Sequence, residues 1–129
     1  MLAGWPRGGR SAPHDHGHAT GLVLVLDGHF SETHYTFDGG QLLGAGFRRY
    51  TPFDTLRAAP GLIHDMHAET EAASLHFYLP AIRRMRVYDS ERRATFVVTG
   101  ENGAWLPQGS DSINERVCWD DAASLGRGP

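Results

Sequence analysis

Apolar and polar residues alternate along this chain in short bursts rather than in helical stripes. Val, Leu, Phe, Tyr and Thr gather in brief runs separated by Gly, Pro or Asp, and no window sustains an apolar face at helical spacing for three turns. The pattern predicts strands over Leu2–Trp5, Gly21–Leu26, Phe30–Phe37, Gln41–Arg48, Leu62–His67, Ala73–Leu79, Met85–Tyr88 and Ala94–Val98. Turn formers stand between them as Asp27-Gly28, Asp38-Gly39-Gly40, Ala59-Pro60-Gly61 and Asp89-Ser90-Glu91. Strands spaced by about ten residues with turns between them point to an all-β body, a small barrel or a double sheet. From Gln108 the chain turns polar, through Gly109-Ser110-Asp111-Ser112 to the Gly126-Arg127-Gly128-Pro129 end. The expectation is a body over 1–107 and a loose, partly disordered C-terminal tail over 108–129. Within that tail Val117, Cys118 and Trp119 are the residues suited to dock on the body.

Composition narrows the class. With 40% hydrophobic and 21% charged residues in 129, the chain has the makings of one globular domain. Its 16 Gly and 7 Pro favour turns over long helices. A net charge of −3 argues against nucleic acid as the main partner. The longest apolar run, Leu22–Leu26, falls far short of the roughly 18 to 20 residues that span a bilayer, and residues 1–10 lack the apolar stretch of a secretory leader. A lone cysteine, Cys118, makes no internal disulfide. No membrane is expected, and a cytoplasmic location is.

Histidine is where the chemistry lies. Of eight histidines, three fall together as His14, His16 and His18. On a strand, residues two apart face one side, so His14 and His16 would present two imidazoles together, as a metal ion requires. An HxH alone also arises by chance among surface histidines. His18 follows Gly17, where a strand would be interrupted, and reads as surface or support. His29 and His34, on a polar stretch with Ser31, Glu32 and Thr33, read as solvated side chains. A second informative segment is Ser74-Leu75-His76-Phe77-Tyr78, whose alternation sets Ser74, His76 and Tyr78 on one face and Leu75 and Phe77 on the other. An ordinary half-buried strand would turn that polar face to solvent. Its order of hydroxyl, imidazole and phenol also suits a hydrogen-bonded relay in which His76 fixes the phenol's proton.

Gly8, six residues before His14, and Gly28, twelve after His16, frame the HxH in a way that resembles the first metal motif of the cupin superfamily. The glutamate of that motif is missing, with Thr20 and Gly21 where it is expected. Pro60-Gly61-Leu62-Ile63-His64 resembles the second cupin motif, although Ala68 stands where an asparagine is usual. The resemblance implies a three-histidine site of His14, His16 and His64. His67 competes for the third place, but its odd separation from His64 sends it to the opposite face of a strand.

Taken with Leu26-Asp27-Gly28-His29-Phe30-Ser31-Glu32-Thr33, Ser74-Leu75-His76-Phe77-Tyr78-Leu79-Pro80 and Met85-Arg86-Val87-Tyr88-Asp89, these motifs resemble the cysteine dioxygenase family of thiol dioxygenases, bacterial type, from about Trp5 to Pro107. The resemblance implies a cupin fold, Fe(II) on the three histidines, and Ser74, His76 and Tyr78 beside it. It also implies O2 and a small thiol, cysteine or 3-mercaptopropionate, as reactants, and a sulfinate as product. Gly21 stands where mammalian members carry a cysteine cross-linked to the tyrosine. Only thirteen residues precede His14, so the resemblance leaves the family's N-terminal arginine, which clamps the substrate carboxylate, without an expected counterpart. Arg7 and Arg10 are the nearest basic residues. A monomer or weak homodimer is expected, because missing N-terminal strands would leave a barrel edge open. The alternatives are a cupin enzyme of another reaction class and a shortened cupin that binds metal without turnover.

Overall fold

The computed structural model describes residues 1–38, 40–100 and 102–121. Ten strands follow one another: β1 (Leu2–Trp5), β2 (Thr20–Asp27), β3 (Phe30–Asp38), β4 (Gln41–Tyr50), β5 (Thr55–Ala58), β6 (Ile63–Ala68), β7 (Ala72–Leu79), β8 (Met85–Asp89), β9 (Ala94–Val98) and β10 (Ile113–Cys118). Among the described residues no helix is long and apolar enough to cross a membrane.

All named pairings are antiparallel. One sheet runs β1-β7-β2-β5, and two three-stranded sheets run β4-β3-β6 and β10-β9-β8. Residues 8–15 join the latter two. On one side Gly8 N–H donates to Ala68 O, Ser11 N–H to Met66 O and His14 N–H to His64 O; on the other Asp15 N–H donates to Arg86 O and Tyr88 N–H to Pro13 O. His14 thus bridges both His64 and Val87. The result is two facing layers, the double-stranded arrangement of a cupin. The sequence reading pairs His14 and His16 by the two-residue spacing of a strand. The structure threads His14 along this joining segment, regular only at its bridges, and sets His16 just after it.

Alternation explains the core. From β2, Val23 and Val25 turn inward to meet Phe30, Leu56, Met66, Ala68 and Trp5. Ala12 packs with Val87, Phe96 and Val98, and Ile63 with Tyr88 and Trp119. Gly28 turns the chain between β2 and β3 at φ +77°, where a Cβ would fall 2.4 Å from Glu71 O; glycine is required there.

Two expectations are corrected here. β5 is absent from the sequence reading. Residues after Gln108, read as a loose tail, instead form a 3-10 turn at Ser110–Ser112 and then β10, which pairs with β9 from Cys118↔Ala94 to Ile113↔Val98. Trp119 is buried, donating its indole N–H to Thr95 Oγ1 at 2.8 Å. Residues 122–129 lie outside the described residues.

β7 is inside out. Ser74 and His76 are buried, while Phe77 is 53% exposed and Leu79 80%. Its polar face looks into the space between the layers and its apolar face looks out. A polar face turned inward is costly unless every group on it is partnered. Its partners define the site.

Candidate metal centre

Three histidines converge. His14 comes from the segment that joins the two three-stranded sheets, His16 from just after it and His64 from β6, all buried, with ligand nitrogens within 4.8 Å of one another. The backbones of His14 and His64 hold each other through two hydrogen bonds, His14 N–H to His64 O at 2.9 Å and His64 N–H to His14 O at 3.0 Å. Gly17, at φ +61°, then turns the chain beneath the Arg84 carbonyl, which a Cβ would approach to 2.8 Å. Asp15, itself buried, accepts the Gly17 N–H at 3.1 Å and fixes that turn.

Hydrogen bonds set the tautomers. His14 Nδ1–H donates to Ala12 O at 2.7 Å, so its Nε2 carries a lone pair. His64 Nδ1–H donates to Glu32 Oε2 at 2.6 Å, so its Nε2 does too, and that atom is buried with no protein partner. His16 Nε2 lies 3.1 Å from His14 Nε2. Metal–imidazole bonds run about 2.0–2.1 Å, so nitrogens at this spacing lie within the span of one ion. Burial, with the neighbouring imidazoles, drives His14 well below its ordinary pKa and His16 down to about 3. Three buried imidazoles, two of them held well below their ordinary basicity, are a donor set for a transition-metal cation.

Glu32 is the residue the sequence reading missed. On β3 its carboxylate is 2% exposed, accepts the Tyr50 hydroxyl at 2.8 Å and lies 2.8 Å from His34 Nε2. Burial works to raise its pKa, but the hydrogen bonds from His64 and Tyr50, with His34 close by, prevail and hold it below the usual carboxylate value. His34, read as solvated, is half-buried against Glu32 and stands opposite His64 in the β3–β6 register. His29 and His18 are exposed, as expected. His67 sits on the other parity of β6 and is absent from the cluster.

The Ser74–His76–Tyr78 face of β7 is hydrogen-bonded as read, and it has a further member. Trp5 Nε1–H donates to Ser74 Oγ at 2.8 Å. Ser74 is fully buried and must place its own hydroxyl proton; the acceptor at hand is His76 Nε2 at 2.7 Å. That leaves the His76 proton on Nδ1, 3.1 Å from the Tyr78 oxygen. The phenol therefore accepts from His76, and its own O–H is free to point at the histidines. Burial and the neighbouring positive charges lower the His76 pKa to about 4 and burial raises that of Tyr78, so the relay is neutral. The Tyr78 ring lies 5.0 Å from that of His16, centroid to centroid. Gly21 pairs with Tyr78 across β2 and β7, and a Cβ there would come to 3.1 Å from Tyr78 Cε1.

A cavity of about 340 Å³ opens on His14, His64, His76 and Tyr78, its walls otherwise mostly apolar. Residues 1–91 match the family model for cysteine dioxygenase type I. The chain belongs to that family. No curated protein matches it in sequence. Among solved structures it is similar to peruvianin-I, a cysteine peptidase from Thevetia peruviana latex, at 25% identity and TM-score 0.51, over 64% of this chain and 49% of that one. It is similar also to a conserved Klebsiella pneumoniae protein with a double-stranded β-helix domain, at 18% identity and TM-score 0.50, over 69% of this chain and 72% of that one. The chain thus spans about half the length of peruvianin-I. Membership and fold together make this a cupin of a dioxygenase family with a three-histidine site fit for a metal ion.

Arg10 and Arg7 do not reach the site. Arg10 Nη2 is 2.9 Å from Asp65 Oδ2, in a separate groove, and Arg7 is exposed and lines neither chamber at the histidines. Arg83, unremarked in the sequence, lines a chamber of about 480 Å³ that shares His76, Tyr78, Ile82 and Met85 with the histidine cavity.

Proposed function

We propose that the protein is an Fe(II)-dependent thiol dioxygenase, acting in the cytoplasm, that oxidises a small thiol, cysteine first among candidates and 3-mercaptopropionate next, to its sulfinate. The observation that carries this reading is the neutral Trp5–Ser74–His76–Tyr78 relay turned inward against three buried histidines. His14, His16 and His64 would hold Fe(II), which would lower the thiol pKa and supply the site for the reaction of sulfur with dioxygen. The chain does the rest. Tyr78 offers its free O–H to the reacting atoms, and Ser74, His76 and Trp5 hold that proton's direction. The apolar walls limit water. Both oxygen atoms end on sulfur, so one O2 is consumed per thiol and one sulfinate appears.

Oxygen uptake by the iron-loaded protein with cysteine is the direct test. The expected result is one O2 per cysteine sulfinate formed. Oxygen uptake without sulfinate, or none with any small thiol, overturns the reading and favours a cupin of another reaction class.

Among the described arginines only Arg83 lines either chamber at the histidines, and we place the substrate carboxylate toward it. Its guanidinium is exposed, so solvent weakens the contact. Arg83→Ala is expected to raise KM for cysteine about tenfold and to leave cysteamine, which lacks the carboxylate, unaffected. Steady-state oxygen uptake with both thiols checks this; an equal effect on both would remove Arg83 from recognition.

A further inference from the structure

The cupin motif's glutamate is missing from its usual place, at Thr20-Gly21, yet the site has not lost its carboxylate. Glu32 lies on β3, directly behind His64, and its two oxygens are fully engaged. Oε2 takes His64 Nδ1–H at 2.6 Å, while Oε1 takes the Tyr50 hydroxyl at 2.8 Å with His34 Nε2 also at 2.8 Å. Glu32 is absent from the lining of the three-histidine cavity and from the ligand cluster. A buried carboxylate with donors on both oxygens is a fixed negative charge, held one imidazole away from the metal position.

We propose that Glu32 is a positioning residue that supplies the negative charge of the metal centre from behind His64, without occupying a coordination position, and that Tyr50 moderates that charge. The inference rests on the metal-centre reading above. A carboxylate behind a ligating imidazole fixes its tautomer and strengthens it as a donor. Through His64 the charge favours a ferric over a ferrous ion, because the ion of higher charge gains more from the same anion. Tyr50 acts the other way, since its hydroxyl draws charge off Oε1. The coordination position that a ligating glutamate would have filled stays open for substrate.

Two variants separate charge from packing. Glu32→Gln keeps the volume and leaves an amide oxygen to accept His64 Nδ1–H, but removes the charge. Tyr50→Phe keeps the ring and frees Oε1. Anaerobic Fe(II) titration and redox titration of the loaded protein are the readouts, with melting of the metal-free forms as the check on folding. Glu32→Gln is expected to weaken Fe(II) binding by about 10- to 100-fold and to raise the midpoint potential. A tenfold greater loss for ferric than for ferrous ion corresponds to about 59 mV. Tyr50→Phe is expected to lower the potential. Opposite signs are the signature, because loosened packing would move both variants the same way. Unchanged affinity and potential in Glu32→Gln, or shifts of the same sign in the two variants, overturn the proposal and leave Glu32 a structural residue. Should Glu32→Gln fail to fold, Tyr50→Phe decides alone, and an unmoved potential overturns it. If the unaltered chain binds no Fe(II), the metal-centre reading itself falls, which is a different result from an unaltered chain that binds and a Glu32→Gln that binds equally well.

Discussion

Replacing His14, His16 or His64 by alanine is expected to strip the protein of iron, whereas His67→Ala keeps a full complement. Each of the three contributes one buried nitrogen to a cluster whose members lie within 4.8 Å of one another. Loss of a partner that merely orients a ligand costs about 10- to 100-fold in affinity, and loss of the ligand itself costs more. An affinity drop beyond about 100-fold is therefore expected for each. His67 shares β6 with His64 but has the opposite parity, with Met66 and Ala68 marking the inward positions and His67 between them. The fold should survive all four changes, because the His14–His64 bridge is made by main-chain groups. Iron content after anaerobic loading and desalting, measured beside circular dichroism, is the check. Iron retained in His64→Ala and lost in His67→Ala would show that the third ligand is His67.

Tyr78→Phe is expected to keep iron and fold while slowing thiol oxidation by about 10- to 1000-fold, the usual cost of losing one placed donor. The phenol O–H is the one proton of the Trp5-to-Tyr78 chain not spent within it. Removing it leaves the ring, packed over Gly21 and beside His16, in place. His76→Ala unlatches the same proton from behind and should reach a similar rate, with little further loss in the double variant, since the two act as a unit. Oxygen uptake at saturating cysteine, with iron content measured on the same samples, separates this from metal loss. Full activity in Tyr78→Phe would return β7 to ordinary packing.

The parts of the molecule legible in its sequence are those where chemistry and periodicity coincide. β2, β3, β6 and β7 carry strong alternation or dense β-branched and aromatic residues, and their bounds come out within two residues. β5 alternates, with Leu56 and Ala58 buried, but four residues are too short a run for that period to stand out, and β10 buries almost nothing on either face. At the site, His14 and His16, and Ser74, His76 and Tyr78, are visible because their spacing is local, and His64 because the Pro60-Gly61 turn before it resembles a cupin motif. Glu32 and Trp5 are not, for their partners stand 32 and 69 residues away and only strand register brings them together. The polarity of β7 admits two readings for a related reason: a polar face signals solvent unless its hydrogen-bond partners are known, and the partner of Ser74 comes from β1.

The paired main-chain hydrogen bonds between His14 and His64 carry a consequence for how the ion is taken up. Two ligands fifty residues apart in the chain are already clasped by the backbone, so the entropy of closing that loop belongs to folding and not to metal capture. Loading then resembles seating a ball in a finished socket, unlike a zinc finger, in which ion and fold arrive together. A metal ion is accordingly expected to leave and return without the barrel being rebuilt, so that its supply sets how much of the protein is loaded more than how much of it is folded.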